Sequence, residues 1–219
     1  MLSELFPESC PGCGGSTGAG FCPACLSGFT AVEHPCAGCG LPRPVANCPR
    51  RSAPWNVDGV VAPLRYGSPL DHYVHALKYT GVRRLGRALG LILAEHLSAL
   101  PSRIDAVVAV PLHRRRLSER GYNQATEIAR TVSRRLRIPM LARGIRRIAS
   151  GLPQTGLDAE HRYANMAGAF AVSRDLTQLR LAIIDDVITT GATVNALAAA
   201  LAAAGAVQLH AWAVARTLR

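Results

Sequence analysis

The segment that most constrains the fold runs from Leu181 to Thr193 and reads LAIIDDVITTGAT. Its first four residues form a continuous apolar run, which is typical of a strand buried on both faces. The run ends at Asp185 and Asp186, and a short turn of threonine, glycine and alanine follows. The next segment, NALAAALAAAG, predicts a helix with Gly205 at its C-terminal cap. The sequence therefore predicts a strand, a tight polar turn and a helix in direct succession.

This turn can bind a phosphate group, and the acids before it can bind a sugar. Backbone N–H groups at the start of the predicted helix point into the turn, where Thr189, Thr190 and Thr193 add hydroxyl groups. The carboxylates of Asp185 and Asp186 can accept hydrogen bonds from vicinal hydroxyls or hold Mg²⁺. A sugar phosphate satisfies both halves of such a site at once.

Two other interpretations of the segment compete with this one. An apolar strand that ends in two aspartates can be a Walker B element, but that element needs a phosphate loop of the form GxxxxGK[ST] elsewhere in the chain. The only lysine, Lys78, is followed by Tyr79, so the sequence contains no such loop. The segment can also be an ordinary connection between a strand and a helix, and this alternative stays open.

The rest of the chain alternates between predicted strands and helices. Its 219 residues are enough for one α/β domain and a small module. Strands are predicted within 57–66, 105–110, 140–148, 181–184 and 210–215, and helices over 69–80, 83–100 and 123–136. This order indicates an α/β fold with a mainly parallel sheet, in which ligands bind at the carboxyl ends of the strands.

Two of the predicted helices carry further signals. Ser68 is expected to cap the first helix, with Pro69 at its first helical position and Gly81 at its end. The polar side chains of that helix are expected to lie on its surface rather than in a site, and they are His72, His75, Lys78 and Tyr79. The helix over 83–100 has an apolar stripe of Leu85, Leu89, Ile92 and Leu93.

All seven cysteines lie before residue 50 and follow an internal repeat. At an offset of 26 residues the matched pairs are Cys10 and Cys36, Cys13 and Cys39, and Cys22 and Cys48. The fourth cysteine of the first copy, Cys25, falls on Arg51. The spacing is typical of a duplicated zinc knuckle whose second copy has lost one ligand.

Zinc fits this pattern better than disulfides, because no signal peptide precedes the cysteines and paired C-x2-C spacing suits tetrahedral thiolate sites. The favoured assignment places structural zinc on Cys10, Cys13, Cys22 and Cys25 and leaves an incomplete second site of Cys36, Cys39 and Cys48. Two other pairings stay open, in which Cys36 and Cys39 complete a site with either C-x2-C pair of the first copy. His34 is expected to be a surface residue rather than a ligand.

The cysteine-rich module is expected to span residues 1–52 and the α/β domain residues 57–219, with a polar linker from Arg50 to Asn56. The N-terminus carries acids where a signal peptide would carry basic residues, and no apolar stretch has the length of a bilayer span. A cytoplasmic protein without membrane insertion is therefore expected.

A second site element, PLHRRRLSERGYNQA over 111–125, follows the predicted strand DAVVAV. We expect it to form a turn that opens at the same sheet edge as Asp185 and Asp186. Its arginines suit a pyrophosphate, to which each charge-assisted hydrogen bond contributes about 1.5–3 kcal/mol. A solvated basic loop is the alternative. The net charge of +11, nearly all from arginine, fits either a phosphate or nucleic-acid surface or a solvated arginine-rich one.

The segment LAIIDDVITTGAT resembles the signature with which type I phosphoribosyltransferases bind 5-phosphoribosyl 1-pyrophosphate (PRPP). The order HALKYTG, VPLHRRRLSERGYNQA, LPQTGLDAEHRYANMAGAF and IIDDVITTGAT, with the cysteine module in front, looks like the ComF family of competence-associated, phosphoribosyltransferase-like proteins. These segments cover almost the whole chain. The sequence departs from the family pattern at Arg51, where fuller members of the family carry a cysteine. This departure affects the second metal site and not the family resemblance.

The resemblance implies a PRPP site with a part for each group of the ligand. Contacts to the ribose hydroxyls and 5′-phosphate are expected from Asp185, Asp186, Val187, Thr189, Thr190, Gly191, Ala192 and Thr193. The pyrophosphate side is expected to consist of Pro111, Leu112, His113, Arg114, Arg115, Arg116 and Arg120, braced by Asn123 and Gln124. A mobile segment from about Arg147 to Arg162 is expected to cover the site, with Gln154 and Arg162 as candidate contacts.

The leading hypothesis is a Mg²⁺-dependent PRPP-binding protein with the architecture of a phosphoribosyltransferase, in which positioning and charge stabilisation assist transfer to an unidentified acceptor. Asp185, Asp186 and Arg116 are the candidate catalytic residues. The alternative, from the family's association with natural transformation, is a protein that handles single-stranded DNA or contacts the DNA-uptake machinery, with PRPP as a regulatory ligand. A PRPP sensor without catalysis is the third hypothesis.

Overall fold

The computed structural model describes residues 8–45, 48–52, 55–99, 103–148 and 168–218. The strands of these residues are β1 (Glu8–Ser9), β2 (Ser16–Thr17), β3 (Gly59–Val61), β4 (Leu64–Arg65), β5 (Ala106–Ala109), β6 (Ile145–Arg147), β7 (Phe170–Val172), β8 (Arg180–Ile188) and β9 (Gln208–Arg216). Their helices are α1 (Pro23–Leu26), α2 (Pro49–Ser52), α3 (Leu70–Tyr79), α4 (Arg84–Ser98), α5 (Arg114–Arg120), α6 (Gln124–Leu136) and α7 (Ala192–Ala203).

A five-stranded sheet forms the centre of the fold. Its order is β3, β9, β8 and β5, and β4 also pairs with β9. Every pairing in this sheet is parallel, which confirms the predicted α/β fold with a mainly parallel sheet. Because β5 and β8 are parallel neighbours, the segments that follow them begin at the same edge of the sheet.

The two faces of the sheet carry different helices. On one face, leucines of α3 and α4 and apolar residues of α6 pack with Ile184 and Val214. On the other face, α7 packs with Leu181 and Ile183. The predicted stripe of α4 is confirmed, since Leu85, Leu89, Ile92 and Leu93 are all buried. β8 is buried from Leu181 to Ile188, which explains why its sequence does not alternate between apolar and polar residues.

The two cysteine copies have the same backbone structure. In each copy the first cysteine, Cys10 or Cys36, donates its N–H to the carbonyl five residues later and accepts an N–H from the glycine four residues later. These glycines, Gly14 and Gly40, have φ angles of 77° and 71°, in the region that glycine adopts without strain. The single-turn helices α1 and α2 begin at equivalent positions. The structure therefore confirms the internal repeat.

The cysteine module packs against the α/β domain. Rings of Phe21 and Phe29 meet the ring of Tyr73 on α3 at centroid distances of 4.8 and 5.8 Å. Phe21 belongs to the same buried cluster as the apolar residues of α3 and α4. On the edge of the sheet, the N–H of Val60 donates to the carbonyl of Ala37 at 2.7 Å. The first copy thus contacts the helices and the second copy contacts the sheet.

Three predictions of local structure are wrong. The supposed linker begins with α2, because this segment repeats α1. The arginines after β5 lie on α5 rather than on a turn, since His113 caps the helix by accepting the N–H of Arg115 and Gly121, with φ 75°, ends it. Ser68 does not cap α3; Pro69 occupies the cap position, without a side-chain hydrogen bond.

The segment expected to cover the site lies largely outside the described residues. Gln154 and Arg162 both belong to this part of the chain, and the two candidate contacts stay predictions. Its first residue, Arg147, is in β6, which pairs with β7 in an antiparallel ribbon. Among the helices that the structure describes, none combines the length and the apolar character of a membrane span.

Candidate functional site

Asp185 and Asp186 lie near the carboxyl end of β8, and both are buried. The N–H of Asp186 donates to Asp185 Oδ1 at 2.8 Å, and the N–H of Val187 donates to Asp186 Oδ1 at 2.9 Å. Burial, followed by repulsion from the neighbouring Asp186 carboxylate, raises the pKa of Asp185 well above its usual value. The site therefore opposes ionisation of Asp185 beside Asp186 unless a positive charge lies nearby.

Lys78 supplies a positive charge to this pair. Its Nζ lies 2.6 Å from Asp186 Oδ2, and 24% of its side chain is exposed. Burial disfavours its ammonium form, but attraction to Asp186 and Asp185 outweighs this and raises the pKa of Lys78. The prediction that Lys78 is a surface residue of the helix is therefore wrong, because its ammonium group pairs with Asp186 near the carboxyl end of β8. His72, His75 and Tyr79 are exposed as predicted.

The predicted phosphate turn connects β8 to α7 in the expected way. Thr189 is exposed, while Thr190 and Thr193 are half-buried. Thr190 Oγ1 accepts the N–H of Ala192 at 3.3 Å, and the carbonyl of Gly191 accepts the N–H of Asn195 at 2.9 Å. The turn thus presents hydroxyl and backbone groups at the N-terminus of a 12-residue helix.

Trp55 and Asn56, which sequence reasoning assigned to a linker, pack against this turn. A Cβ atom placed on Gly191 would lie 2.5 Å from Trp55 Cη2, so only glycine fits beneath the indole ring. The N–H of Asn56 donates to Asn195 Oδ1 on α7 at 2.6 Å. Both contacts fix the segment between the two predicted domains to the phosphate turn.

We expect Gly191→Ala to lower the stability of the protein. Gly191 has φ 86°, where a side chain costs about 1–3 kcal/mol, and the methyl group would also displace Trp55. The melting temperature should fall by about 4–12 °C. Gly81→Ala is the matched control, because Gly81 has φ 75° but no other side chain or backbone within 4 Å of the position that the methyl group would take. Equal effects of the two substitutions would contradict the role of the Trp55 contact.

Arg216 ties the start of the turn to the second cysteine copy. This arginine, the last residue of β9, is 2% exposed. Its guanidinium donates to the carbonyls of Ile188, at 2.8 Å, and Thr189, and its Nε donates to the carbonyl of Cys39 at 3.0 Å. Charged donors on buried carbonyls are strong hydrogen bonds, so Arg216 holds the backbone at the beginning of the turn in place.

The predicted pyrophosphate segment surrounds the start of α5. Pro111, Leu112 and His113 are half-buried, and Arg114, Arg115 and Arg116 are exposed. Arg115 forms an ion pair with Glu119 at 2.9 Å, so it is the least available of the three arginines for a ligand. The guanidinium groups of Arg114 and Arg116 are therefore the stronger candidates for contact with an anion.

The residues expected to brace this segment do so. Asn123 Nδ2 donates to the carbonyl of Val110 at 2.9 Å, and its Oδ1 accepts the N–H of Ala125 to cap α6. Arg120 Nη1 donates to the buried Gln124 at 2.5 Å, and its guanidinium lies 5.2 Å from the ring of Tyr79. Arg120 therefore braces the segment from the side of α3.

Arg147 connects the arginines of α5 with the carboxylates of β8. Burial lowers its pKa, nearby Arg116 lowers it further, and Asp185 opposes both. Its backbone pairs with that of His113, and its guanidinium lies 5.6 Å from the ring of Phe170. Arg147 thus lies within electrostatic range of both Arg116 and Asp185.

An open cleft of about 720 Å³ lies beside α5 and β6. Its walls include Pro111, His113 and Arg114 from the predicted pyrophosphate segment, together with Arg146 and Arg147. Among the described residues that line it, none comes from the segment 185–193. The cleft therefore adjoins the pyrophosphate side of the candidate site rather than its ribose side.

The four cysteines of the first copy form a candidate metal centre. The Sγ atoms of Cys10, Cys13, Cys22 and Cys25 all lie within 4.8 Å of one another. The Cys13–Cys22 distance of 3.7 Å is close to the edge, roughly 3.8 Å, of a tetrahedron with Zn–S bonds of about 2.3 Å. Of the three pairings that the sequence left open, the structure brings together the adjacent one.

The environment of Cys10 favours a thiolate. Burial raises the pKa of this thiol, but N–H groups of Cys22, Cys13 and Gly12 outweigh that effect and lower it to about 6. Two of these donors, on Cys22 and Gly12, lie 3.3 and 3.4 Å from its sulfur. Four sulfurs, one of them already stabilised as an anion, can hold a metal ion such as zinc.

The described part of the second copy contains no such group. Within the described residues, no other set of three or more cysteine, histidine or acidic side chains lies as close together as the first four cysteines. Cys36, Cys39 and Cys48 remain near one another, and His34 is exposed. A Cβ on Gly12 would lie 2.8 Å from Cys25 Sγ, whereas one on the equivalent Gly38 would meet the side chain of Arg50.

Comparison with known proteins identifies the family of the chain. The chain is 32% identical over 212 residues to the DNA utilization protein YhgH of Escherichia coli, with 91% of each chain aligned. The competence protein F of Haemophilus influenzae is also 32% identical, over 213 residues and 90% of each chain. The chain belongs to the ComF family. No protein-family model matches it. ComF relatives thus connect this fold with competence and DNA utilization.

Several residues at the candidate site of this ComF protein were not predicted from the sequence as ligand contacts. Lys78, Arg147 and Arg216 reach the site from α3, β6 and β9, and Trp55 reaches it from the segment before β3. Two signals were available for Lys78: it lies in the segment HALKYTG, and it is the only lysine in a chain that otherwise uses arginine. Arg147 was expected only as the first residue of the covering segment, and nothing in the local sequence marks Trp55 or Arg216.

Proposed function

We propose that this ComF protein binds PRPP at the carboxyl ends of β8 and β5. The observation that carries the proposal is the placement of two buried carboxylates near the end of β8, two residues before the turn that leads into the N-terminus of α7. Carboxylates accept hydrogen bonds from ribose hydroxyls, and helix N-termini bind phosphate groups. The spacing of the two features along β8 suits a ribose that carries a 5′-phosphate.

The pyrophosphate of the ligand would lie between the two strand ends. Arg116 lies close enough to Arg147 to lower the pKa of Arg147, and Asp185 raises it. A group with several negative charges would relieve the repulsion between these guanidinium groups. Mg²⁺ would arrive with the pyrophosphate oxygens, its usual ligands in phosphate-transfer sites.

Structural zinc is the second part of the proposal. Cys10, Cys13, Cys22 and Cys25 would hold it as four thiolates, and the N–H donors to Cys10 would stabilise their charge. Zinc would stabilise a module that contacts α3 through the rings of Phe21 and Phe29 against Tyr73. It would have no part in the chemistry at β8, because the four cysteines fill all of its ligand positions.

If ribose transfer occurs, the chain's own residues would contribute positioning and charge. Asp185 and Asp186 would orient the ribose, and Arg116 and Arg147 would stabilise the departing pyrophosphate. A nitrogen nucleophile would attack C1 of the ribose as the bond to pyrophosphate breaks. Calorimetry with PRPP and Mg²⁺ tests binding, and release of pyrophosphate across a set of bases tests transfer. Binding without release from any base would identify a PRPP sensor.

A second candidate function, single-stranded DNA binding, is supported by a separate arginine surface. The arginine face consists of four exposed residues on α4 and α6: Arg84, Arg87, Arg134 and Arg135. Two surface hollows share Arg87; one lies against Gly20 of the first cysteine copy and the other between α4 and α6. Arginines along a continuous path suit the phosphates of a nucleic-acid strand.

We expect glutamine at all four positions of the arginine face to weaken single-strand binding and its salt dependence. Each phosphate contact contributes about 0.7 to the slope of log K against log salt for single strands, so the slope should fall by about 2–3. Fluorescence anisotropy with labelled oligonucleotides at several salt concentrations measures it. A control with equal loss of charge replaces four other exposed arginines, Arg43, Arg65, Arg143 and Arg174. Equal slopes in the two variants would contradict a localised site.

A further inference from the structure

Lys78 holds a fixed position against the candidate ribose site. Its Nζ lies 2.6 Å from Asp186 Oδ2, whose carboxylate is 4% exposed. The backbone beside it is anchored, because the hydroxyl of buried Tyr122 donates to the carbonyl of Leu77. Arg120 also packs over the ring of Tyr79, the next residue on α3, at 5.2 Å. The backbone on both sides of Lys78 is therefore anchored, and its ammonium group lies against Asp186.

Two adjacent buried carboxylates require a compensating positive charge. Without one, their mutual repulsion in a site of low dielectric constant opposes ionisation of both. A divalent cation is a common solution in proteins, and an internal lysine is another. In this chain the lysine stands 2.6 Å from one carboxylate oxygen, at the distance of a direct ion pair.

We propose that Lys78 is the resident cation of Asp185 and Asp186, so that a ribose phosphate binds to these carboxylates without a divalent cation between them. This inference rests on the proposed function of the site. Each carboxylate oxygen has two lone pairs, so Asp186 can hold Lys78 and still accept a hydroxyl group. The need for Mg²⁺ is then confined to the pyrophosphate of PRPP.

Ribose 5-phosphate separates the role of Lys78 from that of Mg²⁺, because this ligand carries the diol and the 5′-phosphate but no pyrophosphate. Calorimetry with wild-type protein should give affinities within about twofold of each other in EDTA and in millimolar Mg²⁺. Lys78→Met should bind at least about tenfold more weakly in EDTA and regain affinity when Mg²⁺ is added, since the cation then substitutes for the ammonium group. Lys78→Arg retains the charge and should remain insensitive to Mg²⁺.

The outcomes separate this inference from the proposed function. Wild-type protein that binds ribose 5-phosphate only with Mg²⁺ would overturn the role of Lys78, whether or not the variants fold. Lys78→Met that binds as the wild type does in EDTA would overturn it as well. Wild-type protein that binds neither ribose 5-phosphate nor PRPP under either condition would overturn the proposed function itself, and the role of Lys78 with it.

Discussion

The Cys10→Ser variant is expected to lose its metal ion and to melt more than about 10 °C below the wild type. Structural zinc contributes roughly 10–16 kcal/mol of apparent binding energy, comparable with the total stability of about 5–15 kcal/mol of a folded domain. Cys10 is 1% exposed and belongs to the buried cluster that includes α3 and α4. Loss of the metal would therefore disturb the α/β domain as well as the cysteine module.

Elemental analysis and thermal melts of the same samples measure this effect. Cys48→Ser is the matched control, because Cys48 belongs to the second copy, where the fourth cysteine is replaced by Arg51. We expect one firmly held zinc per chain in the wild type and in Cys48→Ser, and none in Cys10→Ser. Two zinc ions per chain that survive dialysis would show that another group completes the second site.

The parts of the fold that the sequence predicts correctly depend on local signals. The continuous apolar run of β8 and the turn before α7 lie within a few residues of one another, and so does each C-x2-C pair. The spacing of the cysteines also predicts the internal repeat. It does not predict which C-x2-C pairs share a metal ion, because three pairings satisfy the same spacing and only the path of the chain between the pairs selects one.

The remaining site residues depend on tertiary packing. Arg216 and Cys39, for example, form a hydrogen bond across 177 residues of sequence. Lys78 points to Asp186 because α3 packs on one particular face of the sheet, which periodicity does not specify. The helix α5 escapes prediction for a different reason: its seven residues span two turns and bury no side chain, so no apolar stripe marks it.

Asparagine at both Asp185 and Asp186 is expected to weaken PRPP binding by about 100-fold or more. Hydrogen bonds to charged groups contribute about 1.5–3 kcal/mol each, and about 1.4 kcal/mol corresponds to a factor of ten in affinity. The amide is nearly the same size as the carboxylate and keeps one acceptor oxygen for the backbone N–H of Asp186 or Val187. Calorimetry with PRPP and Mg²⁺ measures the loss.

Asp185→Asn and Asp186→Asn, each made alone, are expected to change the stability of the protein in opposite directions. Burial, and then Asp186, raises the pKa of Asp185, so the folded protein binds this proton more tightly than the unfolded chain does. The stabilisation from protonated Asp185 is fully present below its unfolded pKa, near 3.8, and is lost as pH rises through the raised value. Asp185→Asn should therefore raise the melting temperature at neutral pH, whereas Asp186→Asn should lower it by leaving Lys78 without its ion-pair partner.

Asp175→Asn is a control because the pKa of Asp175 is shifted in the opposite direction to that of Asp185. Hydrogen bonds from Thr177 lower the pKa of this exposed carboxylate, so its stabilisation is present above its unfolded pKa and is lost as pH falls through the lowered value. Its replacement should leave PRPP affinity unchanged and should not raise the melting temperature. If Asp185→Asn makes the protein more stable, then Asp185 lowers stability at neutral pH and is not there for folding alone. If the same variant also binds PRPP more weakly, Asp185 is a ligand-binding residue. Unchanged affinity in the double variant would contradict the PRPP site.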